Sequence, residues 1–91
     1  MQKLKIFTFE DLEFKPHQVV PGGKSAFIKF PNGTSVSVVG GGRMTILSLH
    51  GDGVNTFECW YSDDDEPRGY QTIEQINREF GERSIRQLGL F

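Results

Sequence analysis

Ser25-Ala26-Phe27-Ile28-Lys29-Phe30-Pro31-Asn32-Gly33-Thr34-Ser35-Val36-Ser37-Val38-Val39 is the stretch on which the fold turns. Side chains alternate across a strand, so Ala26, Ile28 and Phe30 line one face. Val36 and Val38 do the same on the return, opposite Ser35 and Ser37. Between the two runs stands Asn32-Gly33. A two-residue type I′ turn needs positive φ at both central positions, and Asn-Gly meets that need best. The stretch therefore reads as a β-hairpin, with Ile28, Val36 and Val38 in the core and a tight turn at Asn32-Gly33.

Downstream, Gly40-Gly41-Gly42 is expected to break the return strand. Residues 43–49 read as a third strand, with Met44 and Ile46 on one side and Thr45, Leu47 and Leu49 on the other. His50-Gly51-Asp52-Gly53 reads as a turn. Residues 54–61 read as a fourth strand, with Phe57, Cys59 and Tyr61 on one face and Thr56, Glu58 and Trp60 on the other. Turns this short join antiparallel neighbours, because parallel crossovers need far longer connections. Upstream, residues 3–9 alternate and read as a short edge strand, its lysines discouraging further pairing. Residues 8–12 can begin a helical turn, which Pro16 cuts short. Phe14, Lys15, Pro16 and His17 read as extended, since the residue before proline avoids helical angles. Val19-Val20-Pro21-Gly22-Gly23 ends in a turn.

After the sheet comes an acidic loop, then a helix. Thr72-Ile73-Glu74-Gln75 fits a capping box, in which the threonine hydroxyl and the glutamine side chain each satisfy the other's backbone N–H. Ile73, Ile76 and Phe80 recur at helical spacing and form one apolar stripe. Gly81 reads as a stop, with a short further turn beyond it; the alternative is a helix that runs through to Leu88, in which Ile85 and Leu88 extend the stripe with a phase slip. The stripe must bury itself on the sheet. The expected fold is α+β: a four- to five-stranded antiparallel β-meander with a C-terminal α-helix packed on one face. One domain comprises an N-terminal strand and arm (1–23), the meander (24–61), the acidic loop (62–71) and the helix (72–88). One helix cannot cover both faces, so apolar surface is left for a partner.

The chain has 91 residues, Lys+Arg 10 against Asp+Glu 12, and a formal charge of −2. That balance argues against a basic nucleic-acid arm and against an acidic DNA mimic. The lone Cys59 allows no internal disulfide and no cysteine-cluster zinc site, which points to a reducing compartment. No apolar run approaches the ~20 residues needed to span a bilayer. The N-terminus lacks a signal-peptide core. A cytoplasmic, non-membrane protein is expected.

Candidate chemistry is sparse. Gly40-Gly41-Gly42-Arg43 resembles an anion-cradling loop but lacks the lysine, the Ser/Thr and the helix of a P-loop. His50 and Asp52 have the spacing of a base and its orienting acid. Cys59 is the only thiol, in an apolar strand where thiols are packing groups, and nothing pairs it with His17 or His50. Asp63, Asp64, Asp65 and Glu66 lack the alternation, turn glycine and distal glutamate of a calcium loop, and read as a solvated acidic surface. Phe57, Trp60, Tyr61, Phe27 and Phe30 have the makings of a base-stacking platform, but the accompanying cations, Lys24, Lys29 and Arg43, are few. Neighbours on a strand alternate, so one of Trp60 and Tyr61 is exposed, and exposed aromatics favour protein interfaces.

Lys5-Ile6-Phe7-Thr8-Phe9-Glu10-Asp11-Leu12-Glu13-Phe14-Lys15-Pro16-His17, then Pro21-Gly22-Gly23, Ala26, Phe30 with Asn32-Gly33, and Ser37-Val38-Val39 form a layout. It resembles a group of small accessory proteins encoded by bacteriophages and prophages. The resemblance covers most of the chain, best over the first forty positions. It extends to an acidic loop and a Thr/Ser-capped helix, as in Asp63-Asp64 through Phe80, and departs from residue 81 onward. It implies an accessory product in a bacterial host cytosol. The group has no assigned activity, so no catalytic residue carries over.

The sequence thus points to a non-enzymatic module that binds a host or phage protein, in the manner of an inhibitor of a host factor or of a defence system such as a CRISPR effector. The candidate contact residues are Phe27, Trp60, Tyr61, Asp63, Asp64, Asp65 and Glu66. No catalytic residue, cofactor or metal is expected. A homodimer is possible on the uncovered face. The alternatives are a nucleic-acid-binding module on the aromatic strand face and a self-associating phage structural or scaffold component.

Overall fold

The computed structural model describes residues 5–31, 33–42 and 50–86. Five strands form one antiparallel sheet in the order β1-β2-β3-β4-β5: β1 (Lys15–Pro16), β2 (Gly23–Lys29), β3 (Ser35–Gly41), β4 (Thr56–Tyr61) and β5 (Arg68–Thr72). A 3-10 turn at Phe9–Asp11 precedes them, and the helix α1 (Ile73–Arg86) follows. The chain has the α+β architecture its patterning predicts, with α1 against one face of the sheet. Among the described residues, no helix is long and apolar enough to cross a membrane.

The β2–β3 hairpin forms in the expected register, Ala26 opposite Val38 and Ile28 opposite Val36. Ala26, Ile28, Phe30, Val36 and Val38 are all buried. The turn is one residue longer than Asn-Gly suggests. The Gly33 N–H donates to the Phe30 carbonyl at 3.1 Å, and the Phe30 N–H to the Thr34 carbonyl at 2.7 Å. Three residues, Pro31, Asn32 and Gly33, therefore separate the paired positions; Asn32 itself lies outside the described residues. Gly33 has φ +97°, the left-handed position that closes a three-residue loop. Proline suits the first place in such a turn because its ring presets φ.

The structure corrects four expectations about where the strands run. First, Gly40 and Gly41 do not break β3 but continue it, opposite Lys24 and Gly23. A Cβ on Gly40 would meet the Gly53 Cα at 2.7 Å and the Phe57 Cδ2 at 2.9 Å. The glycine is there so that the 50–55 loop can close on the sheet. Second, β3 pairs directly with β4, Val36 with Tyr61 and Val38 with Cys59. The expected strand at 43–49 lies outside the described residues. Third, residues 68–72, of which 68–71 are expected as loop and Thr72 as the start of the helix, form β5. It pairs with β4 through Thr72, Gln71 and Arg68, with a bulge between Phe57 and Cys59. Its composition hides it: Gly69 weakens strand propensity and Tyr70 sits at φ +52°. Fourth, the described part of the 3–9 stretch, from Lys5, is not a strand; Lys3 and Leu4 lie outside the described residues. Phe7 and Phe9 point to the core rim, Phe7 against Phe30 (ring centroids 5.6 Å apart) and Phe9 against Phe57 (5.0 Å). Their backbone N–H groups bond helix side chains instead of a strand, Phe7 to Ser84 Oγ at 3.0 Å and Phe9 to Asn77 Oδ1 at 2.7 Å.

The helix begins as its capping box dictates. The Thr72 N–H donates to Gln75 Oε1 at 2.8 Å, and the Gln75 N–H to Thr72 Oγ1 at 3.2 Å. Ile76 and Phe80 are buried, and Phe80 meets Phe30 and Tyr61 edge-on. Ile73, expected in the stripe, is 37% exposed. The helix does not stop at Gly81 but runs to Arg86, because the turn beyond the glycine is tied down. Ser84 is buried, donates to the Phe80 carbonyl at 2.8 Å and accepts from Phe7. Arg83 is 3% exposed and held by Glu79, Asp63 and Thr34.

Candidate functional site

Among the described residues, none covers the sheet face turned away from α1 across its three central strands. Phe27 on β2 stands opposite Ser37 on β3, which stands opposite Trp60 on β4. Strand alternation sends all three to this face, since Ala26, Ile28, Val36, Val38, Cys59 and Tyr61 fill the other. Phe27 is 64% and Trp60 51% exposed. At one strand spacing each, the two aromatics stand about 10 Å apart over a serine floor. The Trp60 Nε1–H donates to the Asp64 carbonyl at 3.3 Å, which fixes the indole and leaves its ring to solvent. On the β1 side, a depression of about 340 Å³ is lined by Glu13, Lys15, Ser25, Ala26, Phe27 and Ser37.

Charge on this face is uneven. Lys15 pairs with Ser25 and Lys29 with Ser35, so both lysines stand on the β1–β2 side, with Glu13 beside them. Glu58 stands on β4 opposite Val39. It accepts the His50 N–H at 3.1 Å and lies 3.4 Å from the His50 ring. The loop that joins β4 to β5, on the Trp60 side of β3, carries Asp65 and Glu66, both exposed. Ser37 and Lys15 were not among the residues singled out from sequence; Lys29 was, as one of the few cations beside the aromatic platform. Strand register is the signal that places them, since it puts Ser37 in the row of Phe27 and Trp60 and puts Lys15 and Lys29 in the rows on either side.

The other expected contact residues divide. Tyr61 is 1% exposed and lies on the core face, opposite to Phe27 and Trp60. Burial pushes its phenol well above the usual range. The guanidinium carbons of Arg83 and Arg68 lie 4.1 and 4.8 Å from its ring centroid. Tyr61 is therefore removed from the contact surface. Asp63 lies 3.0 Å from Arg83, whose hydrogen bond holds its carboxyl below the ordinary range. Asp64 takes Arg68 at 2.8 Å, and Glu79 bridges Arg68 (3.2 Å) and Arg83 (2.9 Å). Asp63–Arg83–Glu79–Arg68–Asp64 is thus one chain of alternating charge fastening the loop to α1. Half of the acidic run is structural; Asp65 and Glu66 remain as open surface.

No catalytic constellation assembles from the other candidates. Cys59 is fully buried, and desolvation pushes its thiol up to about 12. His17 Nδ1 accepts the Val19 and Val20 N–H groups at 3.1 and 3.0 Å, a turn-closing role. Asp52 Oδ1 accepts the N–H groups of Val54, Asn55 and Thr56 at 2.7–3.0 Å, so it orders its own loop and does not orient His50. The His50 ring stacks on Tyr70. The Gly41 N–H donates to the Gly51 carbonyl and is not free for an anion; Arg43 lies outside the described residues. Of the expected stacking platform, Phe30, Phe57 and Tyr61 belong to the core, which leaves Phe27 and Trp60. Among the described residues, no group of three or more His, Cys, Asp or Glu side chains is placed to hold a metal ion. No family model matches the chain, and no curated protein and no solved structure shows detectable similarity to it.

Proposed function

We propose that this protein is a non-enzymatic protein-binding module whose contact surface is the open sheet face around Phe27, Ser37 and Trp60. The observation that carries the reading is the cross-strand pair of large aromatics left in solvent over a flat serine floor. Burying such rings removes apolar area at about 25 cal/mol per Å², and stiff aromatics lose little conformational entropy when they do so. The inert, buried Cys59 and the structural roles of His17 and Asp52 support the absence of a catalytic role. Nucleic-acid binding has less support, because Lys15 and Lys29 share the face with Glu13 and Glu58. The finer reading, an accessory inhibitor of a host factor or defence system in a bacterial cytosol, has the phage-protein resemblance as its support.

Trp60 is the only tryptophan, so its fluorescence reports this face directly. Titrating the protein into host lysate fractions, or concentrating it, is expected to shift Trp60 emission to the blue and reduce its quenching by acrylamide. Phe27→Ser should abolish the change. Emission that stays solvent-like under both conditions overturns the reading.

A further inference from the structure

We infer that the occupant of the open face is a second copy of this chain, docked sheet to sheet about a two-fold axis that runs along β3. This rests on the protein-binding reading and names the partner of the same surface. Its basis is the way the face is divided by its central strand. One exposed aromatic, Phe27, lies with Lys15 and Lys29 on one side of β3; the other, Trp60, lies with Glu58 and the loop that carries Asp65 and Glu66 on the other.

A two-fold axis along β3 exchanges β2 with β4 and leaves β3 over β3. Phe27 of each copy then lies over Trp60 of the other, because both stand in the Ser37 row. Lys15 stands in the row of Val39 and Glu58, so it is carried to the Glu58–His50 corner. Lys29 stands in the row of Ser35, whose carbonyl accepts the Ser62 N–H; it is carried to the start of the loop that holds Asp65 and Glu66. Every contact occurs twice, as in any isologous interface. Glu13 is the one acid on the lysine side. The serines of β3 and β2 keep the middle of the face low, so two sheets can approach the ~10 Å spacing of an aligned sandwich. Without the pairing, each copy leaves Phe27 and Trp60 in water and Lys15 and Lys29 without a carboxylate among the described residues.

The complementarity is between opposite halves of one face, so charge reversal of one half gives copies that repel themselves and attract the reverse kind. Lys15→Glu with Lys29→Glu makes one variant; Asp65→Lys with Glu66→Lys makes the other. All four positions are exposed, and circular dichroism checks that both variants fold. In sedimentation equilibrium, the native chain should show a monomer–dimer equilibrium that weakens with added salt. Each variant alone should be shifted at least tenfold toward monomer, and the mixed pair should recover association with 1:1 stoichiometry. Trp60 emission should move blue with the dimer fraction. A native chain that stays monomeric at millimolar concentration overturns the second-copy occupant. So does a dimer indifferent to both variants and to Trp60→Ser. If Trp60 is then still shielded by a lysate component, the protein-binding reading stands with another partner; if it is not, both fall.

Discussion

Asp52 holds three consecutive backbone N–H groups on a single carboxylate oxygen and thereby shapes the loop that closes on β3. These bonds favour the charged form and bring its pKa from an ordinary 3.8 to about 2. The folded value lies below the unfolded one, so between these values the unfolded state binds more protons. The stability Asp52 contributes is complete above pH about 4 and is lost as pH falls toward 2. Asp11 and Asp63, both lowered by their hydrogen bonds to Lys5 and Arg83, have the same sign. Asp52→Asn keeps an oxygen acceptor and removes the titration. Its unfolding midpoint in urea should therefore fall less steeply than that of the native chain from pH 4 to pH 2. Asp52→Ala, which loses the acceptor, should be destabilised at neutral pH as well.

At the scale of the element, α1 is a helix held at both ends by different means. Its start is local chemistry, the reciprocal Thr72–Gln75 bonds. Its last turns are tertiary: Ser84 serves the N-terminal segment, and Arg83 joins the ionic chain above Tyr61. Gly81 stands between these two regions, with nothing within 4 Å of the place a Cβ would occupy. Glycine costs a helix interior about 1 kcal/mol relative to alanine. Gly81→Ala should therefore raise unfolding free energy by about 0.5–1 kcal/mol in chemical denaturation, and a loss of stability would mean the helix is not continuous there.

Across the whole molecule, one sheet has two unlike faces, one packed toward α1 and one that the described residues leave open. The packed face depends on Ile76, which is fully buried with Phe80, Phe30 and Val36 in one core cluster. Ile76→Ala should cost about 2–4 kcal/mol, by lost transfer energy and by the cavity left behind. Thermal or urea unfolding measures it, and a cost under about 1 kcal/mol would place the helix elsewhere. Because Ile76 lies on the far side of the sheet from Trp60, the emission of the folded variant should match that of the native chain.

The local features were legible in sequence because the information is local. The alternation of Ala26, Ile28 and Phe30 against Val36 and Val38, the exposure of one of Trp60 and Tyr61, and the Thr72 capping box each depend on neighbours a few residues away. Which residues meet across long separations was not legible, since loop closure and register are decided by packing. The close approach of Gly40 and Gly53 explains why β3 runs through a glycine run that reads as a breaker. The pairing of Arg68 with Asp64 and of Arg83 with Asp63 turns half of an apparently free acidic surface into a clasp. The continuation of α1 past Gly81 depends on Phe7, 77 residues from Ser84 in the chain. By itself, then, the sequence determined the hairpin, the helix start and the two-faced sheet, through side-chain periodicity and capping. The tertiary structure alone decided which aromatics are left outside and how charge is divided about β3, because both depend on strand order and register.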